Sequence, residues 1–224
     1  IWANCMWLKG VVMKAHYNGL IPRNPFIQFH ISPNVKEREY LTEDELKAVM
    51  THEFADSKLA YIRDIFIFAS FTALSFVDIQ ELTNDNIVEV NGEKWILSKR
   101  HKTKVAFQVK LLDIPLQIVE RYRPMQKDNR IFPDLNYWSI CKPLKRMIRE
   151  CGITKSISFH CSRHGFATLA LSKGMPIESV SRVLGHTNIV TTQLYAKITT
   201  QKLDNDLTMF GDKLSKTFNG ITMS

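Results

Sequence analysis

Thirteen consecutive residues, Ile65 to Val77, carry no charge. Preceded by helix-compatible spacing from Ser57, this run has to be covered on all sides in water, and other helices are the natural cover. It is too short to cross a bilayer, whose hydrocarbon is about 30 Å thick and needs about 20 apolar residues. The run predicts a buried helix at the centre of a mostly helical domain, with Ser57 to Ala73 as its spine.

Beyond it the period changes. Ile87-Val88-Glu89-Val90 and Glu93-Lys94-Trp95-Ile96-Leu97 are β-type runs around Asn91-Gly92, a pair that tolerates positive φ and marks a hairpin. A third run, Val105 to Leu112, follows the polar stretch Ser98 to Lys104. The expected class is mainly α with a small three-stranded antiparallel β-sheet (α+β), and helices resume after Pro115. Upstream, Thr42 and Glu45 form a capping box that opens an amphipathic helix near Leu41. Before it, Ile21 to Tyr40 holds three prolines and the charged run Lys36-Glu37-Arg38-Glu39 and reads as a linker. Residues 2–19 read as the end of a helix stopped by Gly19, Pro22 and Pro25. The expected division is residues 1–35, the end of one domain with its linker, and residues 36–224, a second domain. The first residue is not Met and no signal-peptide succession follows it, so the chain reads as a fragment.

Charge bears on partners rather than on fold. Thirty Lys plus Arg against 22 Asp plus Glu give +8, and 45% hydrophobic residues exclude a disordered or collagen-like chain. A basic domain of this kind suits nucleic acid, and equally a solvated surface. Between Tyr137 and Cys151 the cations are ordered: Lys142, Lys145, Arg146 and Arg149 repeat at i, i+3, i+4, i+7, opposite Leu144, Met147, Ile148 and Cys151. Such a helix can pack by one side and meet phosphates with the other. Cys5, Cys141, Cys151 and Cys161 form no C-x-x-C pair, which excludes a zinc ribbon and favours a reducing, cytoplasmic setting. His160, Cys161 and His164 are close in sequence but lack a distant Cys pair, so no metal is expected.

The C-terminal third carries the chemistry. His160-Cys161-Ser162-Arg163 sets an imidazole and a guanidinium three residues apart, able to hold one phosphate. Leu184-Gly185-His186 has the form of a helix end with Gly185 as left-handed cap, and Thr187 or Asn188 can cap the next helix. Tyr195 follows nine residues after His186.

That ordered set, H-x-x-R, L-G-H, then Tyr, resembles the tyrosine recombinase (phage integrase) family. The resemblance runs from the L-T-x-x-E-L opening at Leu41 through Tyr195, and Asn24-Pro25-Phe26 looks like that family's exit from its core-binding domain. On this resemblance residues 1–35 end the core-binding domain and residues 36–224 form the catalytic domain. It implies strand cleavage and rejoining without metal or other cofactor, through a 3′-phosphotyrosyl bond and a free 5′-hydroxyl. Tyr195 then matches the nucleophile and Arg163 the clamp on the non-bridging oxygens. His160 matches the base or proton relay, His186 the second phosphate-binding histidine, and Lys102 the general acid. A phenol of ordinary pKa about 10 needs both deprotonation and a neutralised phosphate, which suits these roles.

One position departs from the pattern. Where the family reads G-L-R-x-x-[ED], this chain reads Ala73-Leu74-Ser75-Phe76-Val77-Asp78, with Ser75 at the first arginine. Losing a charged donor to a transition-state phosphate costs on the order of 2–4 kcal/mol. Arg100 is the candidate substitute: two residues before Lys102, it would share that residue's face on a strand. Contact with a flanking phosphate is the other reading of Arg100. Lys104 stands where the motif commonly has Gly, which makes positive φ harder there, and it competes with Lys102 as the acid. Lys99 and Lys104 join Lys142, Lys145, Arg146 and Arg149 as expected DNA contacts.

Two competing readings remain: a recombinase-derived domain that binds DNA without cutting it, and a type IB topoisomerase-like enzyme. The expected partners are double-stranded attachment sites, a homo-tetramer on DNA with a monomer when free, and an accessory DNA-bending protein, in the bacterial cytoplasm and on the nucleoid, with no membrane. From Thr199 to Phe218, Leu203, Leu207, Phe210 and Leu214 make an apolar stripe that needs a surface, in this chain or a neighbouring protomer.

Overall fold

The computed structural model describes residues 2–29, 39–101, 104–126, 128–196 and 200–217. It divides the chain into two compact units, Ile1–Arg38 and Glu39–Ser224. The first is α1 (Trp2–Tyr17), closed by Gly19 in a left-handed turn, followed by a short turn in which Asn24 Oδ1 accepts from Phe26 N. Lys36, Glu37 and Arg38, and with them most of the expected linker's charged run, lie outside the described residues.

In the second unit Thr42 and Glu45 make the capping box that starts α2 (Glu43–Thr51). Asp56 caps α3 (Ser57–Thr72), which buries Ile62, Ile65, Phe66 and Phe68 and is surrounded by α2, α5 (Asp113–Tyr122), α6 (Tyr137–Glu150) and α7 (His160–Ser172). The uncharged run is not one helix, however. Ala73 takes φ +56 and ends α3, and a new helix, α4 (Phe76–Gln80), starts from Ser75. The break turns the Ala73 carbonyl toward Arg163, whose Nη1 donates to it at 2.9 Å.

The sheet is β1 (Ile87–Val90), β2 (Glu93–Lys99) and β3 (Ala106–Lys110), antiparallel in that order, with Val90 opposite Glu93 across Asn91-Gly92, both at positive φ. Ile96, Phe107 and Val109 point into the core. The β2–β3 turn corrects two expectations. β2 ends at Lys99, so Arg100 is not on the strand and the same-face argument with Lys102 does not hold. Lys104 does adopt positive φ, +56, with its N–H on the Arg100 carbonyl. Lys102 and Thr103 lie outside the described residues.

Three further helices follow: α8 (Ile177–Leu184), α9 (Val190–Gln193) and α10 (Thr200–Thr217). Gly185 caps α8 at φ +63, and Asn188, rather than Thr187, accepts from Val190 N at the start of α9. On α10, Leu203, Leu207, Phe210 and Leu214 are exposed, so no described residue covers that stripe; Thr199 and Phe218 lie outside the description. No described helix is long and apolar enough to cross a membrane.

Candidate active site

The site is built on α4. Ser75 is its N-cap: the hydroxyl donates to Asp78 Oδ2 at 2.8 Å and accepts from Asp78 N. Ser75 is therefore engaged as the cap of α4. Asp78 is thereby turned inward, where it accepts from Arg100 Nη1 at 2.7 Å and from His101 N at 3.0 Å. Burial pushes its carboxyl up, but the His101 N–H, Arg100 and Ser75 together hold it below the usual carboxylate range.

Arg100 is 6% exposed. Besides Asp78, its Nη2 donates to the Val183 carbonyl, and its guanidinium lies 4.0 Å from the Phe107 ring centre. Its Nε is buried without a polar partner among the described residues, facing Gly185. A Cβ at Gly185 would come within 2.8 Å of that nitrogen, so position 185 needs glycine for space as well as for φ. Arg100 thus pins the β2–β3 turn to α4 on one side and to the end of α8 on the other.

Arg163, on the buried side of α7, donates through Nη1 to the Ala73 carbonyl at 2.9 Å and through Nη2 to the Leu184 carbonyl. Burial, and secondarily Arg100, push its pKa down to about 10, while Tyr195 and Asp78 act the other way, so the group is still a cation at neutral pH. His186 follows the Gly185 cap, and its Nδ1 lies 2.8 Å from Thr192 Oγ1. Burial, then Arg163, Arg100 and His160, push its pKa down to about 4, which leaves it neutral at pH 7. Tyr195 is half-buried just past α9, with its ring 5.0 Å from that of His164; His164 in turn stands edge-on to His160, 4.7 Å between ring centres.

Of the residues expected from the sequence, Arg163, Arg100, His160, His186 and Tyr195 come together here. Lys102 lies outside the described residues. Two members were missed. His164 is signalled only by its i+4 spacing from His160. Thr192, fully buried, has no signal of its own within Thr191-Thr192-Gln193. Cys161 turns toward Ser158, its sulfur 3.3 Å from Ser158 N, and the described residues hold no cluster of three His, Cys, Asp or Glu arranged for a metal ion.

The expected DNA contacts are on the surface. Lys99 and Lys104 flank the β2–β3 turn and are exposed. On α6, Lys142, Lys145 and Arg149 form one exposed stripe, and at 100° per residue Trp138, 84% exposed, falls on the same stripe. Arg146 shares this face, as expected, but is already paired, with Glu150 at 2.8 Å and with Asp56 at 3.4 Å, so part of its charge is neutralised.

The sequence profile described as the phage integrase family matches residues 39–202. Tyrosine recombinase XerA of Pyrococcus horikoshii is 32% identical over 177 residues, 73% of this chain and 58% of the relative. Tyrosine recombinase XerC of Lactobacillus leichmannii is 26% identical over 200 residues, 83% of this chain and 67% of the relative. This chain therefore spans little more than half of the archaeal protein's length. Among solved structures, the Tn1549 transposon integrase in complex with a circular intermediate DNA superposes with a TM-score of 0.75 at 18% identity, over 90% of this chain and 76% of that one. A lambda integrase dimer bound to a core site gives 0.66 at 18% identity, over 84% and 56%. At such identities these structures speak for the fold: a mainly helical tyrosine recombinase catalytic domain with a small three-stranded antiparallel sheet.

Proposed function

This chain belongs to the phage integrase family, and on that premise we propose that it carries the catalytic half of a site-specific DNA recombinase acting through a 3′-phosphotyrosyl intermediate. The observation that supports this most is the grouping of Tyr195, His186 and two buried guanidiniums, Arg163 and Arg100, in which Tyr195 and Arg100 act on Arg163 and both guanidiniums act on His186. The Tyr195 oxygen attacks the phosphorus as the phenol proton leaves toward His160. The bond from phosphorus to the 5′-oxygen breaks, and Lys102 protonates that oxygen. Arg163 and Arg100 neutralise the phosphate's charge from within a poorly solvated site, where such donors act most strongly. His186, neutral, adds a hydrogen bond.

In this reading Arg100 supplies the charge missing at Ser75. It does so from a different element, held by the Asp78 that the motif retains. Lys99, Lys104, Lys142, Lys145 and Arg149 hold the flanking duplex by its phosphates, and Arg146 adds less because it is already paired. Residues 1–35 are the end of a core-binding domain. The substrates are double-stranded attachment sites, and the working assembly is a tetramer on DNA, with an accessory bending protein.

Incubation with a nicked suicide substrate carrying an attachment-site core, in EDTA, tests the chemistry. A covalent protein–DNA adduct is expected, lost in Tyr195→Phe. Binding without an adduct would leave a DNA-binding domain derived from a recombinase, the reading that Ser75 favours. Dependence on added metal would contradict the guanidinium clamp.

A further inference from the structure

Tyr195 follows His186 by nine residues, and one residue between them touches both. Thr192 is fully buried; its Oγ1 lies 2.8 Å from His186 Nδ1, and its carbonyl accepts from Tyr195 N at 3.0 Å. The direction of the first bond decides which nitrogen of His186 carries the proton. A helical threonine hydroxyl commonly donates to the carbonyl four residues back. Here that carbonyl, of Asn188, takes the Thr191 N–H, and no backbone acceptor for Thr192 Oγ1 is found among the described residues. The hydroxyl proton is thus available to Nδ1.

The other side of the ring points the same way. Arg163 and Arg100, from α7 and the β2–β3 turn, and His160, at the start of α7, are the charged and titratable groups acting on His186. A phosphate drawn in by those cations meets an N–H favourably and a bare imidazole lone pair unfavourably. A neutral ring can present that N–H at Nε2 only if Nδ1 is the acceptor.

We propose that Thr192 is a positioning residue: its hydroxyl donates to His186 Nδ1 and holds the imidazole as the Nε2–H tautomer, while its carbonyl fixes the backbone of Tyr195. One residue then sets both the phosphate's hydrogen-bond donor and the start of the segment that bears the nucleophile. This rests on the recombinase reading for its purpose, but not for its geometry.

Imidazole nitrogen NMR on the 224-residue chain without DNA tests it directly. At pH 7 wild-type His186 should be a single Nε2–H tautomer. Thr192→Val, which keeps shape and removes the hydroxyl, should give a tautomer mixture, and Thr192→Ser should restore the single form. A wild-type proton on Nδ1, or an unchanged tautomer in Thr192→Val, overturns the proposal. On DNA, Thr192→Val should slow single-turnover cleavage about tenfold, the value of one lost hydrogen bond, at unchanged affinity, with rescue by Thr192→Ser. Equal cleavage rates in wild type and Thr192→Val would also overturn it. If no protein cleaves DNA, the recombinase reading fails while the NMR still decides the role of Thr192.

Discussion

Two groups of cations in this molecule carry the same charge in opposite surroundings. Arg100 and Arg163 are buried, and their donors are directed by Asp78 and by the carbonyls of Val183, Ala73 and Leu184. Lys142, Lys145 and Arg149 stand exposed along α6, and no ion pair to them is found among the described residues. Burying a guanidinium is expensive unless its geometry is good, and the inner pair is held by the backbone of α8 and of the end of α3 and by the Asp78 carboxylate. The outer stripe incurs no such desolvation cost, and it is screened by salt within about 10 Å at 0.1 M. Under the proposed function the inner cations fix where a phosphate's charge is neutralised, and the outer ones supply attraction that any duplex would feel.

The sharpest way to break this contrast is at Arg163. Arg163→Ala should lower cleavage at saturating DNA by on the order of 10²–10³-fold, as loss of a transition-state donor does, with little change in affinity. A loss confined to affinity would make Arg163 one more outer cation.

Next in size is the buried pair. Arg100→Ala leaves Asp78 buried without its cation and should destabilise the fold by about 3–5 kcal/mol in denaturant titrations. Adding Asp78→Asn should recover part of that loss, because the two residues are directly coupled. Simple additivity would mean the pair is not the unit described.

Acid should separate the regions as well. The folded pKa of His186, about 4, lies below its ordinary value of 6.5, so the unfolded chain binds the extra proton between those values. Stability is then full above pH 6.5 and falls as pH drops toward 4, and the lowered Asp78 adds to the fall at still lower pH. Thermal melts across that range should slope less in His186→Gln. The same melts of Lys145→Ala should follow wild type.

The smallest effect belongs to α6. Lys145→Ala should reduce the salt dependence of DNA binding by about one phosphate contact. Its stability should stay within about 0.5 kcal/mol of wild type. A larger stability change would show that the stripe also serves the fold.

What could be read from the sequence was local. Asn91-Gly92 and the Thr42–Glu45 box each encode their structure within four residues, and the structure has both where they were expected. The break at Ala73 and the left-handed Lys104 were not legible, because neither residue type prefers that backbone; the first accompanies a hydrogen bond to Arg163, 90 residues away in sequence. The ordered His160, Arg163, His186 and Tyr195 stood out through their resemblance to the family's motifs, each being weak alone. How Arg100 is held was not, since its partners Asp78 and Val183 lie 22 and 83 residues away. Thr192 and His164 were hidden for the same reason: their roles depend on which ring the fold sets beside them.

The division between inner and outer cations is tested most directly by single-turnover cleavage measured against DNA concentration in two variants. In the triple variant Lys142→Ala, Lys145→Ala, Arg149→Ala, weak binding should be overcome by excess DNA, and the rate should climb to near the wild-type plateau. Arg163→Ala should reach a plateau at ordinary DNA concentrations and stay far below it. A triple variant that remains slow at saturation, or an Arg163→Ala protein restored by more DNA, would contradict the account.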